Sequence, residues 1–372
     1  MLNYKAKSKV SADKVFIIKY VAISFLIFVL AFIFLRYPTN TAQGVKQGLN
    51  LSVDILVPTL FPFLVISELI TNISILNHIP TFLKKLINRI FNQPAQVFSV
   101  FLLSIIGGYP VGPTLIKKLY ENKDITLEQA QRMMLFCISP GPAFVIGTVG
   151  IGMLNSQKLG LILYLSVVIS ALILGILTRF IKKDNFTEFN SISFGYKKCD
   201  FSQAFVDSID RASKTMICVC AWVVFFSCIT ELLKTLIIND DVRNILLCVC
   251  EVTTASEFLC SEGSLPVIAA IISFGGFAVH FQVMSCIVKV KLKIKSFYIS
   301  RAVHSVLSYL VCHFMLLIFP ESIKTVNVVS GVSYDNTESG LSLSFVLFIL
   351  SCLLLSGDNL VIKIKSKNLI TQ

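Results

Sequence analysis

Charge is scarce in this chain. Aspartate, glutamate, lysine and arginine make up 15% of its 372 residues, against about a quarter in an ordinary soluble protein. The charges that exist cluster between long apolar runs. Leu159–Leu177 holds 19 residues without a single charge, close to the ~20 that a helix needs to cross a bilayer. With 55% hydrophobic residues and a mean hydropathy of +0.79, a soluble protein with buried helices is excluded. Metal and disulfide chemistry are also short of material. The eleven cysteines include no C-x-x-C, and Cys218/Cys220 and Cys248/Cys250, two apart, do not share a helix face. They read as small packing residues. The four histidines form no H-x-x-x-H or H-E-x-x-H pattern. No nucleophile–base pair stands out, so neither an enzyme, a metal nor a cofactor is expected. The net charge of +12 is spread over loops with no basic stripe interleaved with aromatics. It reads as positive-inside anchoring and argues against nucleic acid as a partner.

What the sequence does contain is a repeat. Phe61–Leu69 reads against Val224–Leu232, with Glu68 matching Glu231. Gly107-Gly108-Tyr109-Pro110-Val111 reads against Gly275-Gly276-Phe277-Ala278-Val279. The paired glutamates and glycines stand 39 residues apart in the first half and 44 in the second. Membrane-length segments interrupted by Gly and Pro at corresponding places in two halves point to a transporter's binding site.

The expected architecture is an all-α polytopic membrane protein with two related, inverted halves, re-entrant helical hairpins and broken helices. Residues 1–48 hold a cytoplasmic N-terminus and a first transmembrane helix, Val15–Leu35, retained because no cleavage site follows it. Arg36–Asn50 is expected as an external polar stretch. The first repeat occupies 49–181, with an amphipathic surface helix over Ile79–Phe91. Basic residues flank Val97–Leu119 on both sides, which predicts a hairpin with Gly107–Pro113 at its tip. Such a tip is tolerated at membrane depth only where protein or water supports it. Thr126 and Gln129 form a capping-box pattern that opens a helix broken at Ser139–Pro142. Residues 182–213 read as a cytoplasmic linker. The second repeat, 214–319, holds Thr215–Ile238, an apolar run over Ile245–Cys260, the broken segment Leu265–Val288 and Ala302–Phe319; letting Ile245–Cys260 cross the membrane is the alternative to inversion. An external segment, a last span over Leu341–Leu355 and a basic tail complete 320–372. Inversion places Lys289–Lys295 outside, while the charge rule places them inside; the repeated motifs favour inversion.

The site candidates follow from these breaks. A helix that ends within the membrane exposes backbone N–H groups at the start of the next half-helix, where they and the dipole favour an anion or polar oxygen. Gly107, Gly108, Tyr109, Gly141, Gly275 and Gly276 are therefore substrate-binding candidates. Ser139, Thr253, Thr254 and Gln282 could orient a ligand, or serve as interhelical packing contacts. Glu68, Glu231 and Glu251 are costly inside a bilayer and functional by default; for the first two the alternative is snorkelling at a span end. His280, beside a break, could bind substrate or carry a proton, or bond a neighbouring helix.

At these motifs the chain resembles the YlbJ-like sporulation integral membrane proteins, of the nucleoside-recognition (Gate) domain group related to concentrative nucleoside transporters. The resemblance rests on Pro62-Phe63 with Glu68, Gly108–Gly112 with Leu119-Tyr120, and Ser139–Phe144 followed by Gly147 and Gly150. Glu251-Val252-Thr253 and Phe274–Gln282 continue it in the second half. It covers roughly Leu49 to Leu317. Pro113, where the family pattern has a small residue, and Thr254-Ala255, where it often has Asn-Gly-type residues, depart from it. The resemblance implies a carrier of endospore-forming bacteria that moves dipicolinate, a small aromatic dianion, across the outer forespore membrane. The cell membrane is the other expected location. A nucleoside or other metabolite carrier on the same fold and a non-transporting spore-envelope assembly protein are the rivals. The expected partners are a small-molecule substrate, the lipid bilayer, a coupling ion (proton or sodium) and, for an assembly, further copies of the chain.

Overall fold

A computed structural model describes residues 20–73, 81–180, 200–262, 264–287 and 293–319. The N-terminal lysines, residues 182–199 of the expected linker, Lys289, Lys291 and everything from 320 onward, including Leu341–Leu355, lie outside the described residues. The described chain is helical throughout, with no strand among those residues. Five helices are long and apolar enough to cross a membrane, or six if one bent pair counts as a span. This is an all-α, multi-pass integral membrane protein.

Two helices of unusual length dominate one side. After α1 (Tyr20–Arg36), α2 (Pro38–Asn50), a π-helical turn (Leu51–Leu56) and α3 (Val57–Asn72) run on as one 35-residue helix. It packs against α9 (Phe201–Leu236, 36 residues). At 1.5 Å per residue each is about 52 Å long, well beyond the ~30 Å hydrocarbon core. The pair is antiparallel along its length. Asn40 Nδ2 donates to Thr235 Oγ1 (2.9 Å) at one end, and Asn72 Nδ2 donates to Ser208 Oγ (2.8 Å) at the other.

The structure corrects the sequence reading here. The polar stretch 36–50 is helix α2, not a loop, and residues 201–213, assigned to the linker, are the first turns of α9. The cause is a small-residue stripe, Gly44-x-x-x-Gly48, that lets the backbones touch. A Cβ at Gly44 would lie 2.7 Å from Cys228 Cα, and one at Gly48 2.6 Å from Val224 Cα. Packing therefore holds a segment that hydropathy alone leaves outside. Gly48→Leu should force the pair apart and cost about 1–3 kcal/mol or more. The expected result is a lower unfolding temperature in detergent; an unchanged one would show that the contact is dispensable. Just beyond the stripe, Pro58 and Pro62 cannot donate to residues 54 and 58, so the helical ladder is weakened where the π turn sits.

The remaining elements wrap around a buried centre. α4 (Thr81–Phe91) turns through 78° into α5 (Gln96–Gly107). α6 (Val111–Glu121) follows the first glycine break. α7 (Leu127–Met133) opens with the expected box: Gln129 N–H donates to Thr126 Oγ1 (3.2 Å) and Thr126 N–H to Gln129 Oε1 (2.8 Å). Its helix stops at Met133, and after an irregular stretch a π-helical segment, Ala143–Met153, leads to α8 (Gln157–Leu177). α10 (Asp240–Cys250) and α11 (Val252–Glu262) divide the apolar run Ile245–Cys260 at Glu251. α12 (Leu265–Phe274) and α13 (Gly276–Cys286) make one 22-residue apolar span interrupted at Gly275. α14 (Ile294–Ile318) closes the described chain. All ten residues of α12 are buried, as befits a helix that is apolar on every face. Ser170 of α8, Ser273 of α12 and Ser308 of α14 hydrogen-bond to one another, gluing these three helices through hydroxyls.

Candidate functional site

Four interruptions of the helices meet near the centre, in two pairs. The first pair is residues 108–110 and the stretch 134–142. Gly108 has φ +87°, a backbone that L side chains rarely adopt, and a Cβ there would stand 3.3 Å from Gly141 N. Ser104, one turn before the break, donates to Cys137 O (2.9 Å). A Cβ on Gly112, one turn after it, would collide with the same oxygen and lie 2.9 Å from Ser104 Oγ. Eight residues of continuous helix would separate Ser104 and Gly112 by about 12 Å. The chain therefore folds back at Gly107–Pro110, as a hairpin tip does.

The second pair is Glu251 and Gly275. Glu251 is 1% exposed, and its carboxylate caps α11: Thr253 N–H donates to Oε1 (2.9 Å) and Thr254 N–H to Oε2 (2.6 Å). A negative group at a helix N-terminus satisfies two orphan donors and meets the positive end of the dipole. Gly275, φ +87°, ends α12, and a Cβ on Gly276 would lie 3.2 Å from the carbonyl oxygens of both Val249 and Cys250. The two breaks thus touch.

Ending α12 early leaves carbonyls that water cannot reach, and side chains from other elements take them. Tyr109 OH donates to Ile272 O (2.5 Å) and His280 Nε2 to Phe274 O (2.8 Å), while Ser305 Oγ adds a second bond to Ala270 O (2.9 Å) in the last turn of the helix. The carbonyls released after α7 are taken by Arg301, which donates to Leu135 O (2.6 Å) and Ile138 O (2.7 Å). Unpaired buried carbonyls would cost about 1–3 kcal/mol each. The N-termini are treated differently. Neither α6 nor α13 receives a side-chain cap; the first N–H of α6, on Val111, donates to Gly108 O (3.1 Å).

The space between the breaks is a narrow cavity of about 50 Å³, room for a few water molecules in this state and below the volume of a small-molecule site. Leu56 of the π turn, Leu60 and Leu64 of α3 and Val219, Trp222 and Val223 of α9 form one wall. Gly107–Pro110, Gly141 and Phe144 form another, and Glu251, Val252, Thr253, Ala278, Val279 and Gln282 a third. Polar groups are few and convergent: Glu251, Thr253, Gln282 and Tyr109.

Of the sequence candidates, Gly107, Gly108, Tyr109, Gly141, Glu251, Thr253 and Gln282 line this cavity together. Gly275 and Gly276 shape it from behind. Thr254 contributes its backbone N–H to the Glu251 cap. Ser139 is fully buried nearby, with no partner for its Oγ among the described residues. His280 is fully buried against Phe274, Phe297 and Tyr298 and faces its carbonyl partner instead of the cavity. Glu68 and Glu231 do not line it. Glu68 follows Leu64 by one turn, within electrostatic reach of Arg211 and Lys118. Glu231 stands two turns beyond Val223 and accepts from Lys234 Nζ at 3.0 Å. The matched glutamates thus flank the cavity from opposite ends of the antiparallel pair.

Arg301 is the residue that the sequence reading missed. It is 1% exposed, and no carboxylate pairs with it among the described residues. It acts electrostatically on the Tyr109 hydroxyl, as does Glu251. The signal was a single arginine between apolar residues, with His304 one turn on. Drawing the span from Ala302 placed Arg301 outside the membrane, whereas α14 begins two turns earlier.

Broken helices, a central cavity and a buried, carbonyl-held arginine describe a polytopic membrane protein with an internal polar site. No family model matches the chain, and no solved structure matches it. It is similar to the sporulation integral membrane protein YlbJ of Bacillus subtilis (strain 168), with 23% identity over 324 residues, 76% of this chain and 79% of that protein. This similarity agrees with the resemblance that its motifs carry.

Proposed function

We propose that the protein carries a small organic anion across a membrane by exposing the central cavity alternately to either side. The substrate we infer is dipicolinate, moved across the outer forespore membrane during sporulation. Similarity to a sporulation integral membrane protein of B. subtilis supports the sporulation setting. The single observation that carries the anion preference is Arg301, a buried cation with no carboxylate paired to it among the described residues and within electrostatic reach of the cavity residue Tyr109. The N-termini of α6 and α13, which no side chain caps, add to the same field. Glu251 opposes it less than a bare carboxylate would, because two N–H groups and the α11 dipole hold its charge. Trp222, Phe144 and Tyr109 offer flat apolar surfaces to an aromatic ring. Those surfaces also suit a nucleobase, which keeps a nucleoside carrier as the second reading.

Purified protein in sealed vesicles decides between them. The expected result is saturable dipicolinate flux that excess uridine does not inhibit. Uridine flux without dipicolinate flux would replace the substrate assignment. Flux of neither, from vesicles shown to contain folded protein, would favour the envelope-assembly role. Imposing a proton or a sodium gradient in the same vesicles tests ion coupling: the coupled ion accelerates dipicolinate flux and the other does not.

A further inference from the structure

The corner where α4, the end of α8 and the unwound stretch 134–142 meet carries positive charge that the central cavity does not use. Gly175 makes the corner possible: a Cβ there would lie 2.8 Å from Phe91 Cε1 and 2.9 Å from Phe136 Cδ2. The Phe91 and Phe136 rings stack with centroids 5.7 Å apart. Arginines from two other elements hold the carbonyls at the end of α4. Arg179 donates to Arg89 O (2.6 Å), and Arg132 donates to Phe91 O (3.0 Å) and Asn92 O (3.1 Å). Arg179 stands one residue from the end of the span Gln157–Phe180, 24 residues long. That length is about 36 Å, more than the ~30 Å hydrocarbon core, so Arg179 and the last turn of α4 lie at headgroup depth.

Lys85 and Arg89 share one stripe of α4, and both are exposed, as is Arg179. None of the three forms an ion pair among the described residues. Neither α4 nor the span Gln157–Phe180 contains an aspartate or glutamate, and none occurs between Glu68 and Glu121. α7 brings one charge of each sign, Glu128 and Arg132, so the positive excess stands. Beside the basic stripe Phe82 and Leu86 are exposed, as is Phe180 at the end of the span, while Ile87 on the far face of α4 is buried. We propose that this corner binds the headgroup phosphate of an anionic membrane phospholipid. Lys85, Arg89 and Arg179 meet the phosphate, and Phe82, Leu86 and Phe180 rest against the first carbons of its chains. The bound lipid steadies the unwound stretch through Arg132, in the last turn of α7, and through Phe136. That stretch lies against the hairpin tip, where a Cβ on Gly108 would stand 3.3 Å from Gly141 N. Binding at the corner is independent of what the cavity carries.

The full chain in delipidated detergent micelles tests this by thermal unfolding against added lipid. Phosphatidylglycerol should raise the unfolding temperature, whereas phosphatidylcholine with the same chains and soluble glycerol phosphate should not. Lys85→Gln should raise the phosphatidylglycerol concentration at half effect about fivefold, and Lys85→Gln with Arg89→Gln about 25-fold, since each cation near a headgroup contributes separately. Lys158→Gln, exposed at the other end of α8, should leave it unchanged. Hydrogen exchange over residues 134–142 should slow when phosphatidylglycerol binds the wild type and not in the double variant. Should the double variant fail to fold, Lys85→Gln decides alone, because its exposed side chain holds no other element. Equal stabilisation by the two lipids, an unchanged midpoint in Lys85→Gln, or an equal shift in Lys158→Gln would each overturn the site. A response to glycerol phosphate would make the ligand a free phosphate and overturn the lipid assignment. Exchange over 134–142 that ignores bound lipid would overturn the coupling.

Discussion

Replacing Arg301 by Met is expected to abolish dipicolinate flux and to lower the unfolding temperature. Two effects act together. The guanidinium holds Leu135 O and Ile138 O with two short charge-assisted bonds. Removing it leaves both carbonyls buried and unpaired, at about 1–3 kcal/mol each. It also removes a cation within electrostatic reach of Tyr109 in the cavity wall; losing one partner of a buried charge contact commonly costs about 2–5 kcal/mol, so a fall in apparent affinity of at least about 30-fold is expected. Arg301→Lys separates the two. It keeps the charge but not the fork, so it should melt lower than wild type while still preferring dipicolinate over uridine. Wild-type flux from folded Arg301→Met would remove the charge from substrate selection, whatever happened to stability.

Glu251 is expected to give the second largest effect, with a different signature. Glu251→Ala deletes both acceptors of the α11 cap, a loss of about 0.5–2 kcal/mol. It also loosens Thr253, which lines the cavity; dipicolinate flux should disappear. Glu251→Gln keeps one oxygen for the cap and discards the charge. With Arg301 still present the cavity becomes more positive, so dipicolinate should bind several-fold tighter and leave more slowly, lowering both KM and maximal flux. Initial-rate measurements over a substrate range distinguish the pair. Normal flux in Glu251→Ala would remove Glu251 from the site.

The sequence disclosed the breaks that proline and glycine write into it. Gly107–Pro110 and Ser139–Pro142 interrupt helices as expected because each combines backbone freedom with a missing donor, and Gly275 does so through the positive φ that two successive glycines adopt. The break at Glu251 was hidden. No Gly or Pro marks it, and the helix ends there because a carboxylate can cap the next one in a place water does not reach. Helix α2 was hidden for the opposite reason. Its surface is polar, and its membership of the bundle depends on two glycines whose value appears only against the α9 backbone. The repeated glutamates drew attention to the correct helices but not to the cavity wall, since Leu64 and Val223 occupy the positions facing inward. Arg301 escaped because hydropathy trims a span at its first charge, whereas burial of that charge here depends on carbonyls from a distant segment.

The way α12 ends has a bearing on biogenesis. Its last carbonyls are held by Tyr109, made long before it, and by His280 and Ser305, made after it. While α12 is leaving the ribosome, only the first of these partners exists. An uninterrupted helix, satisfying its own backbone, is the cheaper form in lipid at that moment. The bend at Gly275 is consequently a late event in assembly, completed when α14 slides in beside α12. Chains truncated before residue 294 should enter the bilayer yet never acquire the central chamber.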